Sequence, residues 1–487
     1  MHHHRVIVVG SGFGGICTGA RLREAGIDDF VLLERADAVG GVWRDNTYPG
    51  CACDVQSHLY SLSFAPKPDW SRAYAPQAEI RRYLEGCVDR FGLQPHLRLG
   101  HEVHEARWDD EAKRWEVETQ HGLFTGDVLV AAVGALSDPA IPQLPGLERF
   151  AGKAMHSARW DHAYDLRGKR VAVIGTGASA NQFLPVIQRE VQRLLLFQRT
   201  PAWVLPRHDR TIAPALQRIY RAFPPAQRLV RGLVYLTREA LAVGFLQPWI
   251  LRSAQRLATR NIARSIGDPA LREKLTPRYR MGCKRILLSD DYYPALAQPN
   301  VEVVTDAIRE IHAHSIVDAA GTEHEVDCIV FGTGFHVTDL PFARQVRGRE
   351  GRTLAAAWAG SPKAYLGTTV AGFPNLFLLL GPNTGTGHTS VVTMIESQVD
   401  HLLGALRHLD TQNLAAVEPR AEVQADFVRE MDRRSEGTVW TSGGCESWYL
   451  DRTGRNSTLW PGFTFSFKRR VERFDPADYR GIPERRR

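Results

Sequence analysis

The chain has 487 residues, 44% of them hydrophobic, which is enough for two or three packed domains each with its own core. Its longest purely apolar central run, Ala240 to Leu246, falls far short of the roughly 20 residues a bilayer-spanning helix needs, so no integral membrane segment is expected. The formal net charge of +7 is concentrated over Arg207 to Arg280 and in the Arg485-Arg486-Arg487 tail without interleaved aromatic residues, which argues against a nucleic-acid surface and suits anionic dinucleotides.

Met1-His2-His3-His4-Arg5 runs directly into the apolar strand Val6 to Val9, leaving no room for the core of a signal peptide, and a cytoplasmic protein is expected. The seven cysteines, Cys17, Cys51, Cys53, Cys87, Cys283, Cys328 and Cys445, are odd in number and scattered. Such a set fits free thiols in a reducing compartment better than a disulfide framework. After the strand comes Gly10-Ser11-Gly12-Phe13-Gly14-Gly15 and then a helix-forming run, Ile16 to Ala25. Strand, glycine turn and helix together form a Rossmann fingerprint, in which the helix N-terminus faces a pyrophosphate. The next strand, Phe30 to Leu33, ends at Glu34, 24 residues beyond Gly10. A carboxylate near that offset accepts both hydroxyls of an unphosphorylated ribose, so the first nucleotide is FAD or NAD.

A Gly/Pro-rich stretch follows, with Gly40-Gly41-Val42-Trp43 and Tyr48-Pro49-Gly50-Cys51-Ala52-Cys53-Asp54. Cys51 and Cys53 have one residue between them, and Trp43 stands where a dithiol reductase would place its first reactive cysteine. Redox-dithiol chemistry is therefore disfavoured, and both read as packing cysteines. Val128 to Val133 and the loop after it read as a strand leaving the first domain, while Phe150 to Asp161 lies between the two nucleotide units and belongs to neither.

The second fingerprint, Gly175-Thr176-Gly177-Ala178-Ser179-Ala180, follows the apolar Val171 to Ile174. At the same 24-residue offset from Gly175 stands Arg199, a guanidinium that pairs with a 2′-phosphate and does nothing for a free hydroxyl. FAD at the first site and NADPH at the second is the economical assignment. Between Arg207 and Gly282 the composition turns to Arg, Leu and Ala at helical spacing, broken by Pro224-Pro225 and Pro248, and reads as a helical insertion. Polar residues interrupt each of its apolar runs, so a cap over the active site is preferred to a rest on a membrane surface. Asp327 to Val330 with Phe331-Gly332-Thr333-Gly334-Phe335 crosses back, and Leu380 to Gly385 with the helical Thr393 to Leu403 returns the chain to the first domain.

The expected fold class is α/β, with two Rossmann-like dinucleotide-binding domains and a helical insertion in the second. Its divisions are 1–139 and 335–487 for the FAD domain, 140–208 and 283–334 for the linker with the NADP domain, and 209–282 for the insertion. No metal site is expected.

On these residues the chain resembles the class B flavoprotein monooxygenases and, within them, the type I Baeyer-Villiger monooxygenases. The fingerprint of that family, Phe-x-Gly-x-x-x-His-x-x-x-Trp followed by Pro or Asp, is filled at every fixed position by Phe150, Gly152, His156, Trp160 and Asp161. The resemblance extends over nearly the whole chain, including Gln198-Arg199-Thr200-Pro201, Cys283-Lys284-Arg285 and Ser447-Trp448-Tyr449. Ala180 in place of a third glycine and Phe331 before Gly332 are minor departures.

The likeness implies FAD as prosthetic group, NADPH as reductant, and O2 and a small ketone as substrates. One oxygen atom would enter next to the carbonyl through a C4a-peroxyflavin, giving an ester or lactone. It implies Arg285 as the active-site arginine and Asp54 as its carboxylate partner. Gly10, Ser11, Gly12, Gly15, Glu34, Val42, Trp43, Asp54, Tyr60 and Val103 would hold FAD. Gly175, Thr176, Gly177, Ala178 and Ser179 would hold NADP, Lys284 with Arg199 and Thr200 would clamp its 2′-phosphate, and Trp448 would close over the nicotinamide. His156 is assigned hinge and hydrogen-bond duties, and Trp160 the anchoring of a domain rotation. The alternative is a flavin-containing N- or S-oxygenase, which needs a neutral hydroperoxide where ketone oxygenation needs its anion. A nucleotide-binding sensor without turnover is a further, non-enzymatic reading. The substrate pocket is expected between the insertion and the tail loops; the ketone and the oligomeric state are not legible.

Overall fold

Two sheets, each opened by one of the glycine turns, carry the architecture of the computed structural model, which describes residues 2–483. In the first, His2–Val9 lies between Phe30–Leu33 and Gly122–Ala131, parallel to both. Val6 to Val9 are all buried, as in a strand covered on both faces. The strand starts at His2, four residues before the apolar run, because its long partner offers Phe124, Thr125 and Gly126 to His2, His3 and His4. That partner also belongs to an antiparallel excursion with Val103–Asp109 and Arg114–Thr119. Leu376–Leu378 returns to pair with it, and the largely buried helix Val391–Gln412 packs over the helix Phe13–Glu24.

The second sheet has five parallel strands in the order Val301–Val304, Arg193–Phe197, Arg170–Ile174, Cys328–Phe331, Lys153–His156. The family fingerprint is therefore no free linker: its Lys153–His156 is an edge strand of this sheet, paired along its length with Cys328–Phe331. A Cβ at Gly152 would lie 2.4 Å from the Asp327 carbonyl oxygen and 2.6 Å from the Phe150 ring, so only glycine lets the strand enter.

The insertion consists of the helices Pro214–Ala222, Pro224–Leu246, Leu251–Ser265 and Pro269–Leu275, three of which start on proline, where the missing N–H has no intrahelical partner to lose. The polar residues of the long helix turn inward. Gln227 donates to the Lys67 carbonyl at 2.6 Å, Arg231 to the carbonyls of His58 at 2.7 Å and Ser61 at 3.1 Å, and Glu239 accepts from the Thr464 N–H at 2.9 Å. The insertion thus leans on the first nucleotide unit.

The cysteines are not all free. Cys283 and Cys445 form a disulfide with a Cα–Cα distance of 6.2 Å, and the other five are unbridged. The sequence hides this pair because the loop before Lys284 and the aromatic tail loop, 162 residues apart, meet only after folding.

Gly152→Ala is expected to lower the unfolding free energy by about 1–3 kcal/mol, the usual range for overpacking a fixed backbone contact. Urea denaturation of the FAD-loaded protein measures this, and an unchanged midpoint would contradict the steric account.

Candidate active site

The two fingerprint turns are near copies in geometry. Gly10 has φ +104° and Gly175 φ +108°, and a Cβ on them would meet carbonyl oxygens, of Ala132 at 2.6 Å and of Gly332 at 2.5 Å. Glycine is required at both for the chain to turn from strand into helix. Gly12 and Gly177 differ: nothing lies closer to a Cβ there than 3.6 and 3.7 Å, so each leaves a backbone cradle that a side chain would fill. The helices that start there, Phe13–Glu24 and Ala178–Ile187, have no side-chain cap and no acid in the first turn. Uncapped N–H groups at the positive end of a helix dipole fit the pyrophosphates of two dinucleotides.

Both turns open on one cleft of about 1310 Å³ at the carboxyl ends of the parallel strands, larger than the roughly 300–1,000 Å³ of an ordinary ligand pocket. Val42, Trp43, Asp54, Tyr60, Val103, Glu34, Ser11, Thr176, Ala178, Ser179, Arg199, Thr200, Lys284, Arg285 and Trp448 all face it. Gly15 does not: a Cβ on it would sit 1.9 Å from the Gly10 oxygen, so it serves the packing of helix on turn. No residue of 209–282 lines the cleft, so the insertion contributes none of the walls expected of it, whereas the tail loops around Thr386 and Leu459 do.

Within the cleft Arg285 grips Asp54 in a fork, Nε to Oδ2 at 2.8 Å and the terminal nitrogen to Oδ1 at 2.7 Å. The pair joins the loop ahead of Leu287–Leu288 to the cysteine loop of the first unit, and both side chains keep about a quarter of their surface open. The neighbouring Asp54 charge raises the Arg285 pKa against the opposing effect of burial. For Asp54, burial pushes the carboxyl up but the Arg285 charge and hydrogen bonds, with Arg238, outweigh it and hold it below the ordinary value. Both groups are therefore ionised across the physiological range. Burial pushes the nearby Tyr449 phenol up to about 12, so it stays neutral.

Glu34 is 4% exposed at its strand end. It accepts from the Ser11 N–H at 2.9 Å, the Ser11 hydroxyl at 2.7 Å and Arg44 at 2.9 Å. In the second unit, Thr176 donates to the Thr200 carbonyl at 2.8 Å, fixing Arg199 beside the turn. Burial and then the Arg199 charge hold the Lys284 ammonium below its usual pKa. Two adjacent cations without a carboxylate salt bridge among the described residues make a site shaped for an anion, as the 2′-phosphate of NADP requires. Trp43 donates to the Tyr60 hydroxyl at 3.1 Å, and Trp448, 43% exposed, stands in the cleft wall.

The fingerprint residues stand outside the cleft. His156 is buried; its Nδ1 accepts from the Ala158 N–H at 3.1 Å and its ring meets Phe335 edge-on at 5.6 Å. Phe335 faces the cleft, so His156 reaches the site at one remove. Trp160 packs on Phe183 at 5.3 Å, and Asp161 pairs with Lys153. Three arginines of the site escape the sequence reading. Arg44 bridges Glu34 and Asp45, Arg207 donates to the Cys53 carbonyl at 2.9 Å, and Arg238 reaches from the insertion to Gln56 at 2.7 Å and the Tyr74 hydroxyl at 3.2 Å. No spacing rule marks them, since each acts through a contact made only in the folded chain.

Residues 3–347 match the family described as flavin-binding monooxygenase-like. The chain belongs to this family. A Baeyer-Villiger monooxygenase of Streptomyces coelicolor is 55% identical over 482 residues, 98% of this chain and 93% of that protein. One of Pseudomonas aeruginosa is 50% identical over 480 residues, covering 98% and 91%. A closed crystal structure of cyclohexanone monooxygenase superposes with a TM-score of 0.89 at 30% identity, over 99% of this chain and 100% of that one. An oxidised steroid monooxygenase bound to NADP gives 0.88 at 32%, over 99% and 100%. The protein is thus a flavin-binding monooxygenase with the α/β architecture of these enzymes, the family read from its fingerprint.

In this monooxygenase burial holds His58, His156 and His401 down to about 4. Unfolded, each titrates near 6.5, so between about 6.5 and 4 the unfolded chain binds more protons than the native one and stability is lost as the pH is lowered. Urea midpoints are expected to be level above about pH 7 and to decline below about 6.5, less steeply in His156→Gln; a decline equally steep in that variant would clear His156 of the effect.

Proposed function

We propose that the protein is an FAD-dependent, NADPH-consuming Baeyer-Villiger monooxygenase. Ketone, O2, NADPH and a proton give ester or lactone, NADP+ and water, one oxygen atom entering beside the carbonyl carbon. The observation that carries this reading is the forked Arg285–Asp54 pair, open to the cleft between the two nucleotide turns.

FAD suits the first turn, where Glu34 and the bare helix end meet ribose and pyrophosphate, and NADP(H) suits the second, where Lys284 and Arg199 await a phosphate. Bound there, the two cofactors supply hydride transfer and oxygen activation, which no side chain provides. The chain's own part is position and field. Oxygen insertion next to a carbonyl proceeds through negative charge on oxygen, and Arg285 sets a cation there that cannot lose its proton and donates in a fixed fork. Asp54, ionised and bidentate, fixes the plane of that fork. Trp448 and the tail loops line the cleft. His156, buried behind Phe335, and Trp160, packed on Phe183, act as positioning residues where the second sheet meets the cleft. A permanent cation stabilises an anionic oxidant and gives no help to the neutral one that amine or thioether oxygenation requires, so ketone oxygenation is preferred over that alternative.

Arg285→Ala is expected to cut ester formation by about 10²–10³-fold, while anaerobic stopped-flow still shows NADPH bleaching the flavin. Full ester yield in that variant would remove Arg285 from the reaction. With the wild type, a panel of ketones and thioethers should give esters as the main products; sulfoxides instead would shift the assignment to the heteroatom branch.

Arg199→Ala should raise KM for NADPH by about 10–100-fold and leave that for NADH almost unchanged. An equal rise with both would show that Arg199 does not read the 2′-phosphate.

A further inference from the structure

The long insertion helix Pro224–Leu246 is amphipathic in the reverse sense. Its inner face carries Gln227, Arg231, Arg238 and Glu239, all hydrogen-bonded to the first nucleotide unit. Its outer face carries Leu229, Leu233 and Leu236, exposed by 65%, 55% and 63%, with Val243 continuing the row. At 100° per residue positions 229, 233, 236 and 243 fall on one stripe. The adjoining helix Pro214–Ala222 adds Leu216 and Ile219, Phe223 follows it, and Trp249 stands 65% exposed after the long helix. Apolar side chains in a contiguous exposed row mark an interaction surface, not the scattered surface leucines of an ordinary monomer.

Charge selects the partner. From Pro214 to Ser265 there are nine arginines and one acidic residue, Glu239, which is buried. Arg218, Arg228, Arg252, Arg256, Arg260 and Arg264 are exposed and have no carboxylate partner among the described residues. A second copy of this chain seated on the row would bring these exposed arginines against their own like charges. A surface of anionic phospholipid accepts the leucines in its headgroup region and the arginines at its phosphates. No helix among the described residues is long and apolar enough to cross a membrane, so this surface would lie on the bilayer. Nor does any residue of 209–282 line the cleft, which leaves the outer face free of the reaction.

We infer that the insertion is a peripheral docking surface for an anionic bilayer, with the row Leu229–Leu233–Leu236 as its apolar edge. This is independent of the substrate assigned above. The FAD-loaded full chain is mixed at low salt with vesicles of phosphatidylcholine alone or with about one-third phosphatidylglycerol, then floated on a density gradient. It should float with the anionic vesicles and remain behind with the neutral ones. Leu229→Gln/Leu233→Gln/Leu236→Gln, and separately Arg218→Gln/Arg228→Gln, should each lower the bound fraction by about tenfold or more, with unchanged ketone-dependent NADPH oxidation in solution as evidence of folding. Failure to float with anionic vesicles, or equal binding to neutral ones, overturns the inference. So does a concentration-dependent dimer in sedimentation velocity that the leucine variant abolishes, which would give the face to a second copy.

Discussion

The forked contact between Arg285 and Asp54 spans the crevice between the two nucleotide units, and much of the surrounding structure serves to hold it. Two half-buried ions in mutual contact add little net stability, because the cost of removing them from water offsets most of their attraction. What the contact fixes is direction: a planar cation locked by two parallel hydrogen bonds cannot swing away from the cleft. The loop bearing Arg285 is pinned by the neighbouring disulfide at Cys283, and the loop bearing Asp54 is held by Arg207 at the Cys53 carbonyl and by Arg238 through Gln56. The insertion thus lends the site a buried polar brace even though it forms none of its walls.

The two nucleotide units show how one backbone solution serves two ligands. Gly10 and Gly175 adopt nearly the same left-handed conformation for the same reason, a carbonyl oxygen occupying the space of a side chain. The two units differ in what stands at the following strand end. Glu34 offers a carboxylate already engaged by Ser11 and Arg44, while Arg199 and Lys284 crowd two cations together. Like charges placed side by side are unfavourable until an anion arrives, which supports the proposal that the second site takes a phosphate.

The family fingerprint has a mechanical explanation. Gly152 admits the chain to the sheet edge, Lys153–His156 forms the edge strand, and Trp160 and Asp161 fasten the exit. These residues surround a point where the second sheet meets the cleft-facing loop at Phe335, which suits control of how the two units sit and not contact with reacting atoms.

The sequence by itself determined the elements whose signals are local. Both glycine turns with their strands and helices, the opposite charges at Glu34 and Arg199, the break inside the insertion at Pro224-Pro225 and the fingerprint that places the chain in its family could all be read residue by residue. Each depends on a backbone constraint or a period within a few turns of chain. Tertiary structure alone decided the rest: that Cys283 meets Cys445, that Gly15 packs while Gly12 faces the cleft, that the fingerprint supplies a strand, and that the polar face of the long insertion helix points inward. Period marks an amphipathic helix but does not say which face the protein covers. That depends on the partners brought against it, here the backbone carbonyls of His58 and Ser61 and the Thr464 N–H, which lie far away in sequence.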